Sequence, residues 1–391
     1  MRSLPRSLTA FAPLLAIACA GPDRTPDVAG QTDTVATPTT VRVATFNIFE
    51  LSVAKLDQRD AGGASANAQV RAAAELIQQV RPDILLLNEL DAPPHDPALT
   101  ARRFAMEVLN AGPQAIAYPY VYATPSNTGE LSGFDLNRDD TVATTADLGT
   151  RRYGDDSWGY GTYPGQYGMA LLSRFPLDTA GIRTFRLLPW QALPNAHLPE
   201  GWFADSMQSL VRLSSKSHWD VPVLVGSDTL HLLASHPTPP VFDGPEDRNG
   251  RRNFDEVGFW KHYLDGHAAL RDDRGRSGGL PAGRAFVILG DLNAAPDATE
   301  SWYDGQPAIR QLLAHARVRD VPQHTGRPTA QFSGDTRVDY VLPAAELVVR
   351  DGGVAWPDST LDPVGAARAA TASDHRLVWL DLALPLRPAP R

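Results

Sequence analysis

Asp83-Ile84-Leu85-Leu86-Leu87-Asn88-Glu89-Leu90 is a short, uninterrupted apolar run that carries an amide and a carboxylate at its end. Apolar residues without alternation, in a run this short, read as a strand covered on both faces. Upstream, Val41-Arg42-Val43-Ala44-Thr45-Phe46-Asn47 alternates apolar and polar residues and is rich in β-branched side chains, so it reads as a half-buried strand ending at Asn47. Between the two, residues 67–80 place Val70, Ala73, Ala74, Ile77 and Val80 on one helical face. That helix must stop at Arg81, because Pro82 disfavours helical backbone at the residue before it. The order is strand, helix, strand.

The same reading downstream gives strands over 168–173, 229–236, 285–291, 337–342 and 376–382, and helices over 101–110 and 254–270. Strands outnumber helices and alternate with them, so the fold class is a layered α/β (α+β) architecture. With 391 residues, 43% of them hydrophobic and 21% charged, the chain can bury one large core. Residues 92–166 are rich in Pro, Gly, Asn, Asp and Tyr without a repeat, and read as a long surface excursion. Its aromatics, among them Tyr118, Tyr122, Tyr153, Trp158 and Tyr160, either fasten the excursion to the surface or stack on a ligand.

The first residues follow another logic. Arg2 and Arg6 precede an apolar run from Leu8 to Ala18 that is too short to span a bilayer, the pattern of a secretory signal over 1–18. Cys19, the only cysteine, follows Ala16-Ile17-Ala18, where a bacterial lipoprotein is cleaved and acylated; the alternative is an ordinary signal peptide with an incidental cysteine. Residues 19–40 read as a flexible tether, 41–384 as the folded domain with insertions near 92–166 and 237–265, and 385–391 as a tail. The expectation is an exported protein: a periplasmic or outer-membrane-anchored lipoprotein, or a secreted one. It would be a monomer that meets a membrane only through its lipid.

Removing 1–18 takes away two arginines and no acid, moving the net charge from −9 to −11. So acidic a chain has no electrostatic footprint for a polyanion, and any phosphate it handles must be met by metal ions or a local basic patch.

The polar residues are placed where chemistry would need them. Asn47, Glu89, His236, Asp291, Asn293, Asp339, Asp374 and His375 each lie at or just past the end of an apolar strand. One such acid is usually a cap or turn residue; eight are harder to assign that way. Alternation puts Asp291 and Asn293 on one side of Gly290-Asp291-Leu292-Asn293, and Ser373-Asp374-His375 joins an acid to an imidazole. Oxygen donors without thiolate suit a hard cation: Mg²⁺, Mn²⁺ or Ca²⁺.

The ordered set Thr45-Phe46-Asn47, Asn88-Glu89, Gly168-Met169-Ala170-Leu171-Leu172-Ser173-Arg174, Ser235-His236, Gly290-Asp291-Leu292-Asn293, Arg337-Val338-Asp339-Tyr340 and Ser373-Asp374-His375 resembles the endonuclease/exonuclease/phosphatase superfamily, in particular its secreted bacterial members. The resemblance implies a DNase I-like fold, a four-layer αββα sandwich of two packed sheets covered by helices. It also implies roles. Glu89 would ligate the divalent metal, Mg²⁺ by preference, helped by Asn47 and Asp374. Asp291 would position or deprotonate the attacking water, and Asn293 would hold a phosphate oxygen. His375, oriented by Asp339, and His236 would contact the phosphoryl group from two sides.

Fold and core do not choose the ester. Arg248, Arg251 and Arg252 would form the missing basic patch, or else pair with Asp243, Glu246 and Asp247 in a solvated loop. Three readings of function follow. One is a metal-dependent phosphatase or phosphodiesterase of small extracellular phosphate esters. The second is an extracellular endonuclease or exonuclease with nucleic acid as substrate, and the third a non-catalytic surface-binding lipoprotein.

Overall fold

The structure, a computed structural model, describes residues 39–384. The signal over 1–18, Cys19, the tether up to residue 38 and the tail lie outside the described residues. In chain order the main strands are β1 (Thr39–Leu51), β2 (Ile84–Leu90), β3 (Tyr120–Tyr122), β4 (Gly168–Ser173), β5 (Arg183–Thr184), β6 (His218–Val225), β7 (Asp228–Ser235), β8 (Ala285–Asp291), β9 (Asp339–Pro343), β10 (Val348–Val354) and β11 (Val378–Leu384). The main helices are α1 (Ala68–Val80), α2 (Leu99–Phe104), α3 (Arg248–Leu264) and α4 (Pro363–Ala372). One sheet has the order β10-β11-β1-β2-β4-β3, the other β9-β8-β7-β6-β5.

The apolar run at β2 shows why the layers stack. Ile84 and Leu86 join the core between the sheets, whereas Leu85 and Leu87 join a second cluster with Val70, Ala73 and Ile77 of α1 and Phe104 of α2. Successive side chains of a strand point to opposite faces, so an all-apolar strand is buried twice. On the far side Phe254, Val257 and Trp260 of α3 pack against the second sheet, and Trp260 Nε1 donates to Ser235 Oγ at 2.9 Å. The architecture is the expected αββα sandwich.

Helix α1 starts where Asn67 Oδ1 accepts from Val70 N and ends in a left-handed Arg81 before Pro82. Three expectations need correction. β1 begins at Thr39, so Thr39 and Thr40 are strand and not tether. α3 spans 248–264 and not 254–270, so the three arginines ride on its first turns instead of a loop. β6 and β10 were not foreseen: Pro222 interrupts the β6 run and Gly352-Gly353 weakens that of β10.

β1 pairs parallel with β2, and β7 parallel with β8. Their carboxyl ends lie at one edge of the sandwich. At that edge Gly290 has φ +144°, and a Cβ there would lie 2.0 Å from the Ser235 carbonyl oxygen. Only glycine admits that approach. Gly290→Ala is therefore expected to lower stability by about 3 kcal/mol in urea denaturation; an unchanged midpoint would mean that β7 and β8 separate freely.

Candidate active site

Asn47 on β1 is in register with Asn88 on β2, which places Glu89 one residue further along. The pairing of β2 with β4 shifts register between Asn88 and Leu90, and Glu89 takes φ +60°. Such a bulge re-aims a side chain out of the ladder, here into the gap between the sheets. From the second sheet, Asp291 and Asp339 are direct cross-strand partners at the matching edge, and His236 follows β7.

The side chains meet. Asn47 Nδ2 donates to Asp291 Oδ2 at 3.0 Å and lies 3.5 Å from His375 Nε2. His375 Nδ1 is 2.9 Å from Asp339 Oδ2, and its Nε2 is 3.7 Å from Asp291 Oδ2. His236 Nε2 lies 3.6 Å from Asp291 Oδ2 and 4.0 Å from Glu89 Oε1. Asp339 is itself held by its backbone N–H, which donates to Thr329 Oγ1 at 2.9 Å. Phe332 sets its edge against the His375 ring with centroids 5.3 Å apart.

Not every expected residue stands in this cluster as foreseen. Asp374 sits half-exposed at the rim, 4.0 Å from His375 Nε2. Asn293 donates from Nδ2 to the Pro237 carbonyl at 3.1 Å, and its N–H donates to Asp291 Oδ1 at 2.9 Å, so it braces the His236 loop and the Asp291 carboxylate. The arginines are largely engaged. Arg248 pairs with Glu246, Arg251 donates to the Glu246 carbonyl and stacks on Tyr303, and Arg252 donates to the carbonyls of Leu213, Trp158 and Arg212. No free basic patch results. Of the expected partners only Glu246 is used as written, because placing these residues on α3 turns Arg252 inward.

Burial sets the electrostatics. It pushes Glu89 up to about 7, against the hydrogen bond from Asn47. Burial likewise raises Asp291, which His375 opposes and Asp339 reinforces. It also holds His236 neutral, well below its ordinary value, with Lys216 and His375 adding to the effect. Burial works against a charged His375, but Asp339 and Asp291 beside it outweigh that cost and hold it at about 10. Carboxylates that are forced up by burial lack countercharge.

Among the described residues, Glu89, His236 and Asp291 form one group with ligand atoms within 4.8 Å of one another, and Asp291, Asp339 and His375 form another. Asp374 belongs to neither. Nδ1 of His236 and Oδ1 of Asp339 are buried without a hydrogen-bond partner. Hard oxygen donors and excess buried negative charge fit a divalent cation held by Glu89; Asn47, expected to assist, turns its amide nitrogen to Asp291 while its Oδ1 accepts from Phe49 N at 3.1 Å.

One participant escaped the sequence reading. Lys216, buried just before β6, donates to the Pro237 carbonyl at 3.4 Å and feels the charges of Glu256, Glu89 and Asp291. A lysine between two serines ahead of a proline-interrupted run carries no periodic signal. Beneath it, Glu256 of α3 accepts from Ser215 N at 2.6 Å, Ser215 Oγ at 2.9 Å and Thr238 N at 2.7 Å. One carboxylate thus ties together the loops that carry Lys216 and His236. A cavity of about 500 Å³ opens from Glu89, Lys216 and His236 toward Trp158, Trp190 and Phe203.

Glu256→Gln sets an amide donor against one of the two backbone donors, Ser215 N or Thr238 N. It is expected to cost about 1–3 kcal/mol of stability, the usual penalty of a buried unpaired donor, in urea denaturation. An unchanged midpoint would mean that the two loops do not depend on this carboxylate.

Residues 44–375 match the model of the Endonuclease/Exonuclease/phosphatase family. A solved endonuclease/exonuclease/phosphatase from Beutenbergia cavernae DSM 12333 is similar at 21% identity and TM-score 0.51, over 90% of this chain and 73% of that one. The human Nocturnin catalytic domain with bound sulfate is similar at 13% identity and TM-score 0.47, over 88% and 94%. A family protein from Leptotrichia buccalis C-1013-b follows at 12% identity and TM-score 0.47, over 88% and 100%. No curated protein matches. With five-sixths of its length matched by the family model and its strand-end residues gathered at one point, the chain belongs to the endonuclease/exonuclease/phosphatase family of phosphoester hydrolases.

Proposed function

We propose that this chain is an exported, Mg²⁺-dependent hydrolase of small phosphate esters, acting by in-line attack of water on phosphorus. The observation that carries the reading is the convergence of Asn47, Glu89, His236, Asp291, Asp339 and His375, from two sheets, on one buried point short of positive charge. The leader-like composition of residues 1–18 supports export, and Cys19 is the candidate lipid attachment point.

When bound, Mg²⁺ supplies Lewis-acid stabilisation of charge developing on the phosphoryl oxygens. The remaining work falls to the chain. Asp291, raised by burial and held through Oδ1 by Asn293 N and through Oδ2 by Asn47, takes the proton of the attacking water. His375 offers an imidazolium N–H from Nε2, because Asp339 fixes Nδ1 and keeps the ring charged. His236 stays neutral and donates from Nε2 on the other side, and Lys216 adds a cation beside it. These donors act most strongly where negative charge grows in the transition state.

Small esters are favoured over polymers by the acidic balance and by arginines that are already paired. Hydrolysis of a panel of phosphomonoesters and phosphodiesters is expected to vanish in EDTA and to return with Mg²⁺. Glu89→Gln and Asp291→Asn should each lower kcat on the order of 10³-fold, equivalent to several kcal/mol of transition-state stabilisation. Turnover that persists in EDTA, or in Glu89→Gln, would sink this reading, and release of nucleotides from plasmid with no small-ester activity would redirect it to a nuclease.

A further inference from the structure

We propose that the cavity beside Glu89 and His236 binds the organic half of the ester and selects a planar heteroaromatic ring, which Phe242 and Tyr160 cover at its mouth. The proposal rests on the phosphoester-hydrolase reading for its chemistry, but its geometry stands separately.

The cavity opens on the catalytic cluster, and its volume of about 500 Å³ fits a phosphate ester the size of a nucleotide. Its walls come from the end of β1, the long excursion with Tyr167 just past it, the 190–216 segment, the loop after His236 and the first turns of α3. Phe242 is 80% exposed at φ +73°, and Phe49, on the same wall as Glu89, is 45% exposed at φ +53°. Non-glycine residues are rare at such angles, and where they persist beside a site they often position a clamp. Tyr160, 45% exposed, stands among the same lining residues. Large rings left in water around a cavity are unspent contact area.

The kind of ligand follows from what lies between the rings. A polyanion such as an inositol polyphosphate is disfavoured, because Arg248 is taken by Glu246 and Arg252 by three carbonyls, and the remaining cations at the cavity, exposed Arg151 and buried Lys216, share it with the carboxylates of Asp155, Glu50 and Glu89. An alkyl chain is disfavoured for the opposite reason. Asn249 and Glu50, half-buried, lie among the aromatic walls, and an aliphatic ligand would strip water from them without replacing its hydrogen bonds. A ring with donors and acceptors on its edge and a flat apolar face satisfies both kinds of surface.

Calorimetry in EDTA separates binding from turnover. The probes are adenosine 5′-monophosphate, decyl phosphate and glycerol 3-phosphate, which share a phosphate and differ in the organic group. Adenosine 5′-monophosphate is expected to bind at least about tenfold more tightly than the other two, and Phe242→Ala to remove about tenfold of that affinity, the usual effect of losing one stacked ring. Quenching of the fluorescence of Trp158 and Trp190, which line the cavity, should track the binding. Leu361→Ala, which deletes an equally exposed apolar side chain outside the cavity, should change nothing. Tighter binding of decyl phosphate, equal binding of all three probes, or an unchanged affinity in Phe242→Ala would overturn the proposal. Absence of hydrolysis with every ester would instead count against the catalytic reading, and Phe242-dependent nucleotide binding would survive it.

Discussion

Beside a buried hydrogen bond from Asp291 N to Asn88 Oδ1 at 3.3 Å, a shorter one, 3.0 Å from Asn47 Nδ2 to Asp291 Oδ2, joins the two sheets at the edge where their parallel strands end. Each sheet alone offers half a site: Asn47 and Glu89 on one, His236, Asp291 and Asp339 on the other. The apolar core holds the sheets face to face, and this bond fixes how their polar edges meet. Within the second sheet Gly290 lets β7 and β8 run close together, which sets where Asp291 stands, because any side chain there would strike the Ser235 carbonyl. The geometry of the reacting centre therefore depends on packing between the layers as much as on the residues that do the chemistry.

Bringing these groups together concentrates negative charge at a largely buried point at the foot of the cavity. The structure answers in two ways. Asp339 and Asp291 keep His375 charged, and Lys216 is buried nearby at a desolvation cost that lowers its own pKa. What is left over shows as Glu89 and Asp291 held above ordinary carboxylate values. A site in this condition favours the arrival of a cation and, with it, of an anionic substrate. The acidic balance of the chain is then no obstacle to phosphate chemistry.

Much of this was written in the sequence at short range. Continuous apolar runs such as Ile84 to Leu87 must be strands with two covered faces, and residues at their ends must gather on an edge. Asn47, Glu89, His236, Asp291, Asp339 and His375 were legible for that reason. Arg251 and Arg252 were not, because their partners are a backbone carbonyl and a ring of Tyr303 in one case and three distant carbonyls in the other, and carbonyls leave no trace in a residue pattern. Lys216 and Glu256 were hidden likewise: their meaning comes from two loops brought together by the fold. Asn293 was read toward phosphate, yet its short strand-end loop turns its amide to Pro237 instead.

The division of labour between strand ends and the segments outside them has a consequence for how such a protein can change. The reacting groups stand on the two sheets or directly beside them, where each is pinned by register or by a buried partner. Most of the cavity wall comes from the long excursion, the 190–216 segment, the loop after His236 and the start of α3. Selectivity and reactivity thus occupy largely different stretches of chain, meeting at Glu89, Lys216 and His236. An insertion or exchange in the excursion can alter which molecule is taken without disturbing the bond that is broken, and this is a ready route for one scaffold to acquire many substrates.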